Sequence, residues 1–196
     1  MVTRRDKAGR REEGYLTGRL LIAMPGMRDS RFARSVVYLC AHNAEGAMGL
    51  VVNKLLDSVS FEELLQQLGI ENRRAGEPIS IHFGGPVEAG RGFVLHSADY
   101  RQDSTLEVDG RIALTATLDV LRDIAQGGGP RQHLFALGYA GWGPGQLDQE
   151  LQDNGWLVAD ADERLVFDAD QAAKWEGAIA RLGIDPARLT FDAGHA

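Results

Sequence analysis

The residues of this chain that could carry chemistry are one thiol, a few scattered histidines, two glycine-rich turns and three tryptophans. Cys40 and His42 lie two apart in the run Ser35–His42 (SVVYLCAH). That run reads as a strand, so both side chains are expected on one face. A histidine beside a thiol could support a nucleophilic or redox-sensing thiolate. The competing reading is a small buried hydrophobe and a strand-end histidine before a turn, since no third group is in view to orient the pair. His42, His82, His96 and His133 each fall on or near a different predicted strand. None sits in a metal-ligand spacing such as H-E-x-x-H, and the chain has no C-x-x-C, so no metal is expected.

The segment Gly138-Tyr139-Ala140-Gly141-Trp142-Gly143 is the most suggestive. It reads as strand, then glycine loop, then a helix entered at Pro144, and helix N-termini offer free N–H groups to anions. It lacks the Gly-Lys-Ser/Thr of a phosphate loop, and Gln146 stands where the dinucleotide motif has its third glycine. Pro144 removes one donor, and Asp148 and Glu150 would repel a phosphate. The glycines are therefore expected to let Trp142 and the chain turn tightly against the sheet. Gly84-Gly85-Pro86 reads as a strained turn in the same way. Trp142, Trp156 and Trp175 are expected to pack, with Trp142 partly exposed in its loop. The carboxylates near the C-terminus form no evident acid–base pair, and there is no G-x-S-x-G elbow.

These residues need elements to hold them. Ser35–His42 and Ala47–Asn53 are β-rich runs joined by Asn43-Ala44-Glu45-Gly46, which suits an antiparallel hairpin. Both are apolar at nearly every position, so the hairpin is expected to be covered on both faces. Ser60-Phe61-Glu62-Glu63 is a capping box, and Gly69 ends the helix it starts. Ile79–Phe83 and Gly92–His96 read as strands. A helix from Leu118 to Gln126 places Leu118, Leu121, Ile124 and Ala125 on one stripe. Gln132–Tyr139 reads as a strand, followed by a helix from Pro144 to about Gln152. Trp156–Ala159 and Leu165–Phe167 read as short strands, and a last helix runs from Asp170 to Leu182. Strands and hairpins with four interspersed helices suggest a mixed sheet in one domain. No repeat, low-complexity run or linker divides the chain.

Composition narrows the function classes. With 196 residues and 44% hydrophobic content, the chain can bury a core without staples. Its single cysteine excludes an internal disulfide and fits a reducing, cytoplasmic setting. No apolar run approaches membrane-spanning length, and Pro25 cuts off the short apolar stretch Leu20–Met24 that follows the basic start. The net charge is −7. Residues 1–13 carry five basic and three acidic groups, whereas residues 146–196 carry four basic and eleven acidic ones. So acidic a chain repels phosphate backbones, which disfavours direct nucleic-acid binding. Residues 1–13 are expected to be a disordered extension rather than a DNA-binding arm, with 14–196 as the folded domain.

Several segments together resemble the YqgE/AlgH family of small bacterial proteins. They include Leu20–Pro25, Phe32, His42-Asn43, Gly46–Asn53, Gly84-Gly85-Pro86-Val87, Phe93–His96, Leu137–Trp142, Gly145-Gln146-Leu147 with Glu150, Asn154 with Trp156, Lys174-Trp175 and Gly194-His195-Ala196. The resemblance implies an α+β fold: a single domain with a mixed, strongly bent, barrel-like sheet flanked by about four helices. It brings no catalytic residues or cofactor, and it carries a label of transcriptional regulator.

The expectation for function is a cytoplasmic binding or regulatory module for a protein partner or small ligand. Loops on a rigid sheet commonly carry recognition, which selects the face built from the Trp142 loop and the Gly84–Pro86 turn. Its candidate residues are Asn53, Gly84, Gly85, Pro86, His96, Tyr139, Trp142 and Gln146. Two alternatives stand beside it: an enzyme or redox protein using Cys40, His42 or His96, and a transcriptional regulator.

Overall fold

A computed structural model describes residues 14–189; the extension expected over residues 1–13 lies outside the described residues. The first strand, β1 (Arg19–Ala23), pairs antiparallel with β2 (Val36–Asn43), and β2 turns through a tight hairpin into β3 (Gly46–Val51). Their apolar runs are covered on both faces, as expected. Leu20, Ile22, Tyr38, Cys40 and Leu50 pack into one buried cluster, and Leu21, Ala23, Val37, Leu39 and Val51 into another. The helix α1 (Phe61–Gln67) starts at the predicted capping box: Ser60 accepts from the Glu63 N–H, and the Glu63 carboxylate accepts from the Ser60 N–H.

Next come β4 (Ile81–Phe83), β5 (Val87–Ser97), β6 (Leu106–Glu107), β7 (Ile112–Thr115) and α2 (Leu118–Ala125). Val120, Leu121, Ile124 and Ala125 of α2 are buried, but Leu118 points outward and is 45% exposed, against the expected stripe. It sits at the first helical position, where the 3.6-residue period carries the stripe past it. The strand β8 (His133–Trp142) runs three residues beyond its predicted end, so the expected Trp142 loop is the second half of a strand. The helix α3 (Gln146–Gln152) follows, capped by Gly145 rather than opened at Pro144. After β9 (Trp156–Asp160), residues Glu163–Phe167 form α4, not the predicted strand. Asp162 caps it by accepting from the Arg164 N–H. The last helix is α5 (Gln171–Ala180), so the described residues hold five α-helices where about four were expected.

The nine strands form one sheet in the order β6-β7-β5-β8-β3-β2-β1-β9, with β4 joined to β8. Among the described residues only the β4–β8 pairing is parallel, and the sheet curls into a half-barrel. The fold is thus α+β in a single domain, as the resemblance implied.

Strand β8 organises the curl. Phe135–Leu137 lie between β4 and β5, whereas Ala140–Trp142 pair with β3. Between them Gly138 adopts a φ of 72°. Here Gly84-Gly85-Pro86 carries the chain from β4 across β8 to β5. A Cβ on Gly84 would stand 2.2 Å from the Gly138 carbonyl oxygen, and one on Gly85 would stand 2.0 Å from the Tyr139 carbonyl carbon. No side chain fits a crossing this close, which is the physical reason for glycine at these positions.

Helix α5 closes one face. Lys174 is buried and donates to the carbonyls of Val52, 2.7 Å away, and Val166, 2.8 Å away. Burial pushes its ammonium down to about 8. The Trp175 indole N–H donates to the Ala23 carbonyl at 2.9 Å.

Candidate functional site

Trp142 ends β8 with its ring in the core and is 7% exposed. The turn after it reverses the chain into α3, where Gln146 and Glu150 stand four apart on one side of the helix. Gln146 accepts from the Gly143 N–H at 3.0 Å and donates to Oε1 of Glu150 at 2.9 Å. The other carboxylate oxygen of Glu150 accepts two indole N–H groups, from Trp142 at 2.9 Å and from Trp156 at 2.8 Å. The two rings meet edge to face at 5.9 Å. One carboxylate thus fixes the end of β8, the start of β9 and the helix between them.

Two grooves meet on this scaffold. The larger, about 590 Å³, is lined by Met48, Phe93, Tyr139, Glu45, Glu88 and Arg91 among others. The smaller, about 440 Å³, is lined by Met27, Phe32, Pro86, Trp156, Asp29 and Asp153 among others. Val87, Gly141 and Trp142 belong to both, and Val87 is exposed between them. The β5–β8 pairing reaches no farther than Val87 opposite Tyr139, so beyond that point, among the described residues, β8 has a strand on its β3 side only. The Trp142 carbonyl oxygen lies against Gly46 of β3. Successive strand residues turn their N–H and C=O to opposite edges, so Gly141 presents its own to the uncovered edge.

The structure gathers four of the candidate residues here: Pro86, Tyr139, Trp142 and Gln146. Gly84 and Gly85 lie next to them but serve the crossing over β8. Asn53 is a clasp, accepting from the Val36 N–H and donating to the Arg34 carbonyl, both at 2.8 Å. His96 is wholly buried at the far end of β8, with Nδ1 against the Ser97 carbonyl and Nε2 against the Thr115 hydroxyl. Burial lowers its pKa.

Cys40 and His42 do not share a face. Leu39 pairs with Gly49 and Ala41 with Met48, so Cys40 is an extra, bulged residue that reverses the alternation. Its thiol is sealed beside Tyr38 and Leu50 and pushed by burial up to about 12. His42 instead pairs with Ala47, packs edge-on against Tyr15 and reaches toward Asp148 of α3. Among the described residues, no three of His, Cys, Asp and Glu converge as a metal-holding group. Nor is any helix among them long and apolar enough to cross a membrane.

An AlgH-like family model matches residues 20–187. The chain belongs to the AlgH-like family. A UPF0301 protein of Rhodospirillum rubrum is 56% identical over 186 residues, which cover 95% of this chain and 97% of its own. Another from Paracoccus denitrificans is 52% identical over 188 residues, covering 94% and 99%. The solution structure of AlgH from Pseudomonas aeruginosa is 44% identical with a TM-score of 0.75, over 96% of this chain and 100% of that one. A crystal structure from Corynebacterium diphtheriae, 23% identical, shares the fold at a TM-score of 0.71 over 93% of each chain.

Sequence reasoning missed Glu150 as the hub of this site. Its signals were local: four residues after Gln146 and six before Trp156. Val87 was passed over because its neighbours Gly85 and Pro86 read as turn.

Proposed function

We propose that this protein is a cytoplasmic binding module that recognises a partner protein on the face where the two grooves meet at Val87, Gly141 and Trp142. One observation carries the reading: an exposed aliphatic side chain and an uncovered strand edge stand between two open, aromatic-lined grooves. Apolar patches and grooves rimmed by polar groups mark interaction sites, and an open strand edge supplies main-chain recognition. The scaffold beneath is rigid, because the Glu150 carboxylate and the glycine crossing lock β8 in place. The enzyme reading finds less support, since the thiol is sealed and its histidine faces the other way. Val87→Glu places a charge at the centre of the face without touching the core. Its melting temperature should match that of the parent chain while co-purifying protein is lost. Unchanged recovery of every co-purifying protein would overturn the reading.

A further inference from the structure

The smaller groove carries an unbalanced charge. Asp29 and Arg31 neutralise each other through a pair at 2.7 Å. Glu150 receives three N–H donors, all neutral: two indoles and the Gln146 amide. Asp153 receives the Gln149 amide at 3.1 Å. Among the described residues no lysine, arginine or histidine forms an ion pair with either carboxylate. Two carboxylates therefore stand without a cation beside a wall of Met27, Phe32 and Pro86.

We propose, resting on the recognition reading above, that this groove takes a lysine or arginine side chain from an extended, basic segment of the partner. The apolar stem of such a side chain suits Met27, Phe32 and Pro86, and its charged head suits Asp153 and the outer side of Glu150. The main chain of the segment runs past Gly141, whose N–H and C=O face the uncovered edge of β8. Charge complementarity selects a basic occupant over an acidic one, since an acidic residue would bring like charge into a confined space.

The test uses the full chain labelled with ¹⁵N. Its three tryptophans each give an indole N–H signal, and Trp175, bonded to the Ala23 carbonyl, serves as the internal reference. The probes are hexalysine, hexaglutamate and a neutral Ser/Val hexapeptide at low salt. Hexalysine should shift the Trp142 and Trp156 signals saturably and leave that of Trp175 in place. Asp153→Asn should weaken this binding about two- to fivefold, the scale of one exposed ion pair, whereas Asp119→Asn on α2 should leave it unchanged. Equal weakening by Asp119→Asn would overturn the proposal, because the attraction would then be diffuse. Saturable shifts with the acidic or neutral probe, and none with hexalysine, would also overturn it while keeping the face as a docking surface. If no probe moves any indole signal, both the proposal and the recognition reading fall.

Discussion

The indole N–H of Trp142 donates to Oε2 of Glu150 at 2.9 Å, tying the last residue of a core strand to the middle of the helix that follows it. The same oxygen holds Trp156. A tryptophan that sequence alone places in a loop is thereby a structural post, and what it leaves exposed beside it is Val87 and the edge of β8.

Truncating the post should be costly. Trp142→Ala is expected to lower unfolding free energy by about 3 to 5 kcal/mol, the range for a buried aromatic. Glu150→Leu should cost about 1 to 3 kcal/mol for each buried indole N–H it leaves unpaired. Urea unfolding followed by circular dichroism measures both. A loss below about 1 kcal/mol for Trp142→Ala would mean that the ring does not hold the fold.

The glycine crossing should also tolerate little change. Gly85→Ala drives a Cβ into the Tyr139 backbone, at 2.0 Å, and Gly84→Ala into the Gly138 carbonyl, at 2.2 Å. Each should destabilise by more than about 3 kcal/mol, at the upper end for single substitutions. Gly90→Ala, where a Cβ meets nothing within 4 Å, is the control and should stay within about 1 kcal/mol of the parent. Comparable melting temperatures for all three variants would exclude the close crossing.

Cys40 should label slowly. Cys40 is 2% exposed and its thiol is shifted by burial up to about 12, so little thiolate forms at pH 8 and the group is held away from solvent. Reaction with a disulfide reagent should follow the rate of unfolding. Labelling of the native chain as fast as that of the urea-unfolded chain would restore the redox reading.

Acid should weaken the fold through His82. Its Nδ1 lies 3.2 Å from the Phe135 carbonyl and its Nε2 has no partner among the described residues; burial lowers its pKa from 6.5 to about 4. Between those values the unfolded chain binds a proton that the folded chain refuses. Stability is therefore full above pH 6.5 and falls as the pH drops toward 4, by up to about 3 kcal/mol from this residue. Urea midpoints at pH 7 and 4.5 should differ less for His82→Leu than for the parent. An equal drop in both would remove His82 as the cause.

What could be read from the sequence follows the range of the forces involved. The hairpin from Ser35 to Asn53 and the Ser60 cap were legible because unbroken apolar runs and a four-residue hydrogen-bonded cap are local signals. Leu165–Phe167 misled because three residues carry no period; Asp162, the cap that makes them helical, lay outside the run. Gly138–Trp142 misled because glycine marks loops when seen alone, whereas here it marks a strand that another backbone crosses. The Cys40 bulge was hidden for a related reason: alternation predicts one face, and only the pairing with β3 reveals the extra residue. Of the candidate site, the grouping of Trp142, Tyr139, Pro86 and Gln146 around the two grooves was legible from the glycine punctuation near them. His96 and Asn53 lie in segments that carry the family resemblance; the structure places them away from the grooves, Asn53 bonded to the Val36 and Arg34 backbone and His96 to Ser97 and Thr115.

The proposed recognition face is tested most directly by photo-crosslinking. A benzoylphenylalanine placed at position 87 stands between the grooves, and one at position 106 replaces Leu106, an exposed leucine of β6. Irradiation of cells producing each variant should give a discrete heavier adduct from position 87 and none from position 106. Adducts from position 106 alone, with position 87 silent, would contradict the account.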